Sequence, residues 1–401
     1  MVDSRSHPDP VRILVVDKVA VLRANRLRWR RLSAQADVEL TLLAPHRWIE
    51  NSVNEPFQYP ADPEYQTIVG RVSWPGRELL SIYVSGAARA LRQSRPDVII
   101  LMEESFSMFA LQFTILRRLF APRARIIFYS FNIDSYRRFN YRLDRLYRTI
   151  SRLVMRHAAA ALCVNERGAE VLRDSTFSGP IIPLFVGIND EIFHPHDKRL
   201  ARRSLDIDDG AQLFLYAGRL LELKGVEDLI LAFARVRQAR AGMRLRLMIV
   251  GQGEWEANVR ACVAESGAAD AIDVRSAVPI EQMPHLMAAA DAFVLPSRLS
   301  WKEQFGRVNA EAMLVGTTII GSTSGAIPEV IGEGGFIFTA GDIEDLARTM
   351  MRVLDEPDEC DRRRRIGRAT ALRAFSVQAF VDGVVDLIEH LTCRTLRRGR
   401  S

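Results

Sequence analysis

Cysteine is scarce and has no pattern. Cys163, Cys262, Cys360 and Cys393 are the four in the chain. None forms a C-x-x-C pair or has a histidine at metal-ligand spacing, which excludes a zinc knuckle and a disulfide framework and points to a reduced, cytoplasmic setting. Long apolar runs are absent too: nothing approaches the roughly 18 to 20 residues of a membrane-crossing helix. The opening MVDSRSHPDP is polar and proline-bearing, unlike a signal peptide. A soluble protein is expected, at most resting on the inner face of the cytoplasmic membrane. Lysine is the rarest feature of an otherwise basic chain. Of 55 Lys and Arg residues against 49 Asp and Glu, a net charge of +6, only Lys18, Lys198, Lys224 and Lys302 are lysines. Where arginine is the default cation, a retained lysine marks a place that calls for a compact ammonium. The arginines lack aromatic interleaving and a recognisable nucleic-acid module, so no nucleic-acid partner is expected. No internal repeat and no low-complexity segment occurs.

What is present is an ordinary globular composition, 48% hydrophobic and 26% charged over 401 residues, enough for two domains at roughly 100 to 200 residues each. From Val11, short runs rich in Val, Ile and Leu (VRILVV, VELTLLA, DVIILM, ARIIFYS, AALCV, PIIPLFVG) alternate with helical stretches over 22–33, 77–93 and 105–119. Runs this short and continuously apolar are the signature of parallel strands covered on both faces. A charged connector, HPHDKRLARRSLDIDDGAQ, precedes a second series: LFLYAGRL, LRLMIVG, IDVRSAV, AFVLPS, TTIIGS and GFIFTA, with helices between them. The expectation is an α/β chain of two Rossmann-like, doubly wound parallel-sheet domains facing across a cleft, where ligands of such sheets bind. The N-terminal domain would cover 1–193, a linker 194–212, and the C-terminal domain 213–375. Segment 376–401 would be a helix packing back toward the N-terminal domain, followed by a basic tail.

Two motifs carry chemistry. In PSRLSWKEQFGRVNAEAM, Glu303 lies in a loop after a strand and Glu311 lies more than one turn into the next helix, with seven residues between them, Gly306 included. Both can face one ligand over the helix N-terminus, where the amides of Gln304, Phe305, Gly306, Arg307 and Val308 supply donors to hydroxyls and phosphate. An ionised carboxylate has about four acceptor sites, suited to vicinal hydroxyls. In YAGRLLELKGV, Arg219 and Lys224 bracket a loop between a strand and a helix. Two cations there form a diphosphate clamp, the guanidinium as a planar fork and the ammonium as a point charge.

In this order, about 80 residues apart, these motifs resemble the retaining glycosyltransferases of family four, which have the GT-B fold. Similar too are FVGINDEIFHP, LMIVGQGEW, AADAFVLPS, IIGSTSGAIPEVI and the terminal FSVQAFV; ANRLRWRRLSAQADVELTLLAPHRW and ILMEESFS look like a bacterial subgroup that makes surface polysaccharides or other glycans. The resemblance implies transfer of a sugar, with retention, from a UDP- or GDP-sugar donor to a glycan or lipid-linked glycan acceptor. No cofactor and no metal is implied. Arg219 and Lys224 would hold the donor diphosphate in place of a metal. Glu303, with Gln304, Phe305 and Gly306, would hold the donor sugar, Glu311 the ribose, and the amide of Val308 would approach a phosphate. Two features depart from the family. The first loop, DKVAVLRANR, has no glycine, and Asn132 stands where many members have a histidine. Glu103 and Glu104, at a strand end, are the nearest carboxylates, and either can orient the acceptor hydroxyl.

Other readings stay beside this one: an epimerase or hydrolase acting on nucleotide sugars with the same fold, or a binding subunit without turnover. The GQG at 251–253 lacks the third glycine of a dinucleotide fingerprint, and Asp206–Asp208, a D-x-D in the connector, is not expected to hold a metal. Arg138, Arg142, Arg145, Arg148, Arg152 and Arg156 recur at helical spacing beside Phe139, Leu143, Leu146, Ile150 and Leu153. This basic helix over 137–156 is either a sheet-covering helix with a solvated face or a surface that rests on anionic lipid.

Overall fold

The computed structural model describes residues 9–50, 53–77, 79–133 and 144–396. The chain forms two compact units, one containing residues up to Gly187 together with those from Val377 onward, the other Ile188–Ser376.

In the first unit, β1 (Val11–Val16), α1 (Leu27–Ser33), β2 (Val38–Pro45), a hairpin of β3 (Arg47–Glu50) and β4 (Val53–Pro56), β5 (Gln66–Gly70), α2 (Ala87–Ser94), β6 (Val98–Leu101), α3 (Met108–Phe120), β7 (Arg125–Ser130), α4 (Asp144–His157), β8 (Ala158–Cys163), α5 (Glu166–Arg173) and β9 (Ile181–Pro183) follow one another. The sheet runs β5-β2-β1-β6-β7-β8-β9, with each pair parallel. The winding therefore goes one way from β1 to β2 and the other way from β6 to β7, which puts the switch point between β1 and β6.

The second unit carries α6 (Lys198–Ser204), β10 (Gln212–Ala217), α7 (Val226–Ala239), β11 (Leu245–Val250), α8 (Glu256–Glu265), β12 (Ile272–Arg275), α9 (Met283–Ala289), β13 (Ala292–Leu295), α10 (Arg307–Val315), β14 (Thr318–Ser322), α11 (Ile327–Ile331), β15 (Phe336–Phe338), α12 (Ile343–Asp355) and α13 (Pro357–Ala374). Its parallel sheet runs β12-β11-β10-β13-β14-β15, with the switch point between β10 and β13. The last helix, α14 (Val377–Thr392), belongs to the first unit. There Phe380 meets Trp29 edge-on at 5.8 Å, and Val384, Leu387 and Leu391 are buried.

The structure differs from the sequence reading in places with local physical causes. Arg77 and residues 79–86 are not helical; α2 starts at Ala87, after a loop closed by an antiparallel Val72–Tyr83 bridge and the bond from Ser73 N to Ile82 O (2.9 Å). Pro75 and Gly76 immediately precede that stretch, which favours a turn over a helix start there. The glycine-free first loop folds into two short 3-10 turns before α1. The Asp17 side chain starts them by accepting from Val19 N (3.1 Å) and is fixed by the indole N–H of Trp29 (2.8 Å). Residues 194–212 are part of the second unit. Within them α6, N-capped by Asp197, is pinned by Lys198 (2.7 Å) and Arg202 (2.5 Å) to the carboxylate of Asp291. Asp208 turns back to accept from Gly210 N (2.8 Å) and pairs with Arg244. Of the basic stretch 137–156, residues 137–143, with Arg138, Phe139, Arg142 and Leu143, lie outside the described residues.

Candidate functional site

Strand β10 ends at Ala217, and the chain turns over Gly218 into a loop that ends in a short 3-10 turn at Glu222–Lys224. Gly225 closes that turn with φ +66°, a left-handed conformation that favours glycine, and any Cβ there would lie 2.2 Å from the carbonyl oxygen of Pro296. The missing side chain lets the loop after β10 press against the loop after β13. Lys224 thereby reaches the carboxylate of Glu303, forming an ion pair with Oε1, and Ser297 donates to the same oxygen at 2.7 Å. The indole ring of Trp301 lies 5.0 Å from the Lys224 ammonium and 5.8 Å from the Arg219 guanidinium. Beneath them, Tyr216 donates to the carbonyl of Arg219 (2.8 Å), fixing the backbone of the loop, and burial raises its phenol far above the usual range.

A third segment holds Glu303 from behind. Gly325, with φ +55°, packs where a Cβ would be 2.3 Å from the carbonyl oxygen of Glu303, and Ala326 N donates to that oxygen at 2.9 Å. Ser324 donates to the carbonyls of Arg298 (3.1 Å) and Trp301. Arg298 forks onto Asp228 of α7 at 2.9 and 2.7 Å, tying the loop to the helix that follows Gly225.

Helix α10 begins after Gly306, which has no side chain to cap it, so the helix starts with donors unsatisfied by a cap and with the positive end of its dipole at this loop. Glu311 sits in its second turn, buried, with Arg307 donating at 2.7 Å. Burial pushes the Glu311 carboxyl above the usual range, against the opposing pull of Arg307. Phe305 turns its ring inward, edge-on to Phe375 at 5.0 Å, so only its backbone can face a ligand.

Thus Arg219, Lys224 and Glu303 meet in one cluster, while Gln304 and Val308 flank it along the chain. Trp301 and Ser297 complete it and were not read from the sequence; the signal for Trp301 was an aromatic two residues before Glu303. Glu103 and Asn132 lie in the first unit, at the ends of β6 and β7. There Glu104 accepts from Phe131 N (2.6 Å) and Ser130 (3.2 Å), and Ser130 accepts from Asn132 N (3.2 Å). Among the described residues no group of three or more His, Cys, Asp or Glu could hold a metal ion.

Two parallel sheets, each wound outward from a central strand pair that carries charged groups at its carboxyl end, make this a protein of the GT-B fold class. Residues 197–372 match the family model "Glycosyl transferases group 1", so the second unit carries a domain of that family. The chain is 31% identical over 217 residues to the MMP alpha-(1->4)-mannosyltransferase of Mycolicibacterium hassiacum, covering 53% of this chain and 49% of that protein. It is 35% identical over 195 residues to the D-inositol 3-phosphate glycosyltransferase of Pseudarthrobacter chlorophenolicus, covering 47% and 44%. The chain spans about half the length of these curated relatives. Among solved structures, Anabaena HepE in complex with UDP has a TM-score of 0.70 at 15% identity, covering 95% of this chain and 100% of that one.

Proposed function

We propose that the chain is a retaining glycosyltransferase that moves a sugar from a UDP- or GDP-sugar to a glycan or lipid-linked glycan acceptor, with no required metal. The observation that carries this reading is the Lys224–Glu303 pair, with Arg219 beside the same Trp301 ring, at the switch point of the second sheet and next to the start of α10. Both relatives, a mannosyltransferase and an inositol phosphate glycosyltransferase, and the UDP in HepE agree with it.

In this reading the bond between the anomeric carbon and the donor diphosphate breaks, and a bond to an acceptor hydroxyl oxygen forms on the same face. The departing diphosphate oxygen accepts the hydroxyl proton. Charge that accumulates on that oxygen is met by Lys224, Arg219 and the amides at the start of α10, so positioning and fixed charge do the catalysis. Glu303 holds sugar hydroxyls and Glu311 the ribose. In the first unit, Glu103 and Asn132 serve the acceptor side.

A thermal-shift screen against UDP-, GDP- and ADP-sugars tests the donor. The cognate donor stabilises the wild type, and Lys224→Met abolishes the shift; stabilisation that survives this substitution sinks the site. Release of free sugar or of an epimer without acceptor would instead identify a hydrolase or epimerase.

We also propose that the first unit rests on anionic lipid. On α4, Arg145, Arg152 and Arg156 are exposed beside Leu146 (49%) and Leu153 (39%), and the neighbouring α3 exposes Ile115 (51%) and Leu119 (68%). Apolar side chains framed by arginine fit the boundary between acyl chains and acidic headgroups. No helix among the described residues is long and apolar enough to cross a membrane. Flotation with phosphatidylglycerol vesicles is expected for the wild type. It should be lost on charge reversal at Arg145, Arg152 and Arg156; equal flotation of both proteins would refute the contact.

A further inference from the structure

The first unit repeats the charged arrangement of the second. Lys18 follows β1 and Glu103 follows β6, the two strands that flank the switch point, and their side chains pair at 2.9 Å with Lys18 5.6 Å from the Trp48 ring. In the second unit Lys224 follows β10, Glu303 follows β13, and Trp301 lies 5.0 Å from the ammonium. Two of the four lysines therefore occupy equivalent places, each against a glutamate and a tryptophan.

The place of the pair argues against a purely structural role. Elsewhere this chain ties its elements together mostly with arginine, as in Arg12 to Asp97, Arg26 to Asp62 and Arg298 to Asp228, and where Lys198 shares Asp291 it does so beside Arg202. The first loop is already held by Asp17 and Trp29. A buried Lys–Glu pair adds a desolvation cost that apolar residues would avoid, and it sits where open α/β sheets bind ligands. The Glu103 side chain is 1% exposed and that of Lys18 10%, so a ligand approaches from the lysine side.

We infer that Lys18 and Glu103 form a binding site for the vicinal hydroxyls of a polyol, a sugar ring or cyclitol. Lys18 donates to one hydroxyl oxygen, and Glu103 accepts from the neighbouring hydroxyl. The carboxylate neutralises the ammonium, so the site takes a neutral diol in preference to an anion. This inference rests on the glycosyltransferase reading, in which such a polyol is the acceptor, and it assigns Lys18 a role that the glycine-free loop would otherwise leave unexplained.

The test is saturation-transfer NMR of the full chain with methyl α-D-mannopyranoside and with myo-inositol. At least one should bind the wild type, bind it equally in the presence of excess UDP or GDP, and bind the double variant Lys18→Met/Glu103→Leu at least about tenfold more weakly. The double variant replaces both charges with apolar groups and is expected to stay folded, which a wild-type-like melt and unchanged stabilisation by the cognate nucleotide would verify. The inference is overturned if neither polyol binds the wild type, if the double variant binds as well as the wild type, or if the nucleoside diphosphate alone removes binding. Should no nucleotide sugar stabilise the wild type, the donor reading falls while the NMR comparison still decides this site.

Discussion

Replacing Lys224 with methionine keeps the length of the stem and removes the charge. The pair is buried, with side chains 13% and 10% exposed, and without the ammonium Glu303 keeps the hydroxyl of Ser297 at 2.7 Å. Stranding one partner of a buried pair costs about 3–5 kcal/mol. Lys224→Met should therefore be less stable than wild type by about 3–5 kcal/mol. Adding Glu303→Gln should recover most of the loss, because a neutral amide no longer needs the ammonium, while leaving donor binding abolished. Denaturant melts of the three proteins measure this. No loss in the single variant, or no recovery with glutamine, would refute the pairing of these two groups.

Glu311→Gln removes a carboxyl whose folded-state value burial has raised above the ordinary 4.5. What that carboxyl contributes to stability is present below the ordinary value and is lost as pH rises through the raised one. The ligand-free variant should therefore melt at least as high as wild type at pH 8, an advantage that disappears on acidification. Its nucleotide affinity should fall about tenfold or more from the lost charged hydrogen bonds; calorimetric scans and nucleotide titration read the two effects. Gly225→Ala forces φ +66° on a residue with a Cβ aimed at Pro296 O. It should cost at least about 1–2 kcal/mol and weaken donor binding by displacing Lys224. A chemical melt with a donor titration checks both, and wild-type values in both would contradict the role given to that glycine.

The sheets were legible because strands covered on both faces are written as continuous Val, Ile and Leu runs: VRILVV became β1 and LRLMIV β11 with no ambiguity. The stretch from 77 misled because residues with helical propensity were overruled by Pro75, Gly76 and a bridge between Val72 and Tyr83. Strand β5, the β3–β4 hairpin and helices α12 and α13 were missed. Glu303 and Glu311 stood out because a strand, a glycine and a helix start frame them in a single segment. Trp301 and Ser297 did not, since nothing local says which way a loop side chain turns.

By itself the sequence determined the α/β class, the two sheets and the identity of the charged motifs, since periodicity and spacing are local properties of the chain. Only the tertiary structure decided that Lys224 meets Glu303, because that contact needs Gly225 to lie against Pro296 across 71 residues of chain. It alone also decided that Lys18 meets Glu103 in the same arrangement one unit earlier, because strand order sets which loops are neighbours. Lys18, only a rare letter in the sequence, and Lys224, legible there as half of a diphosphate clamp, became paired charges at two switch points.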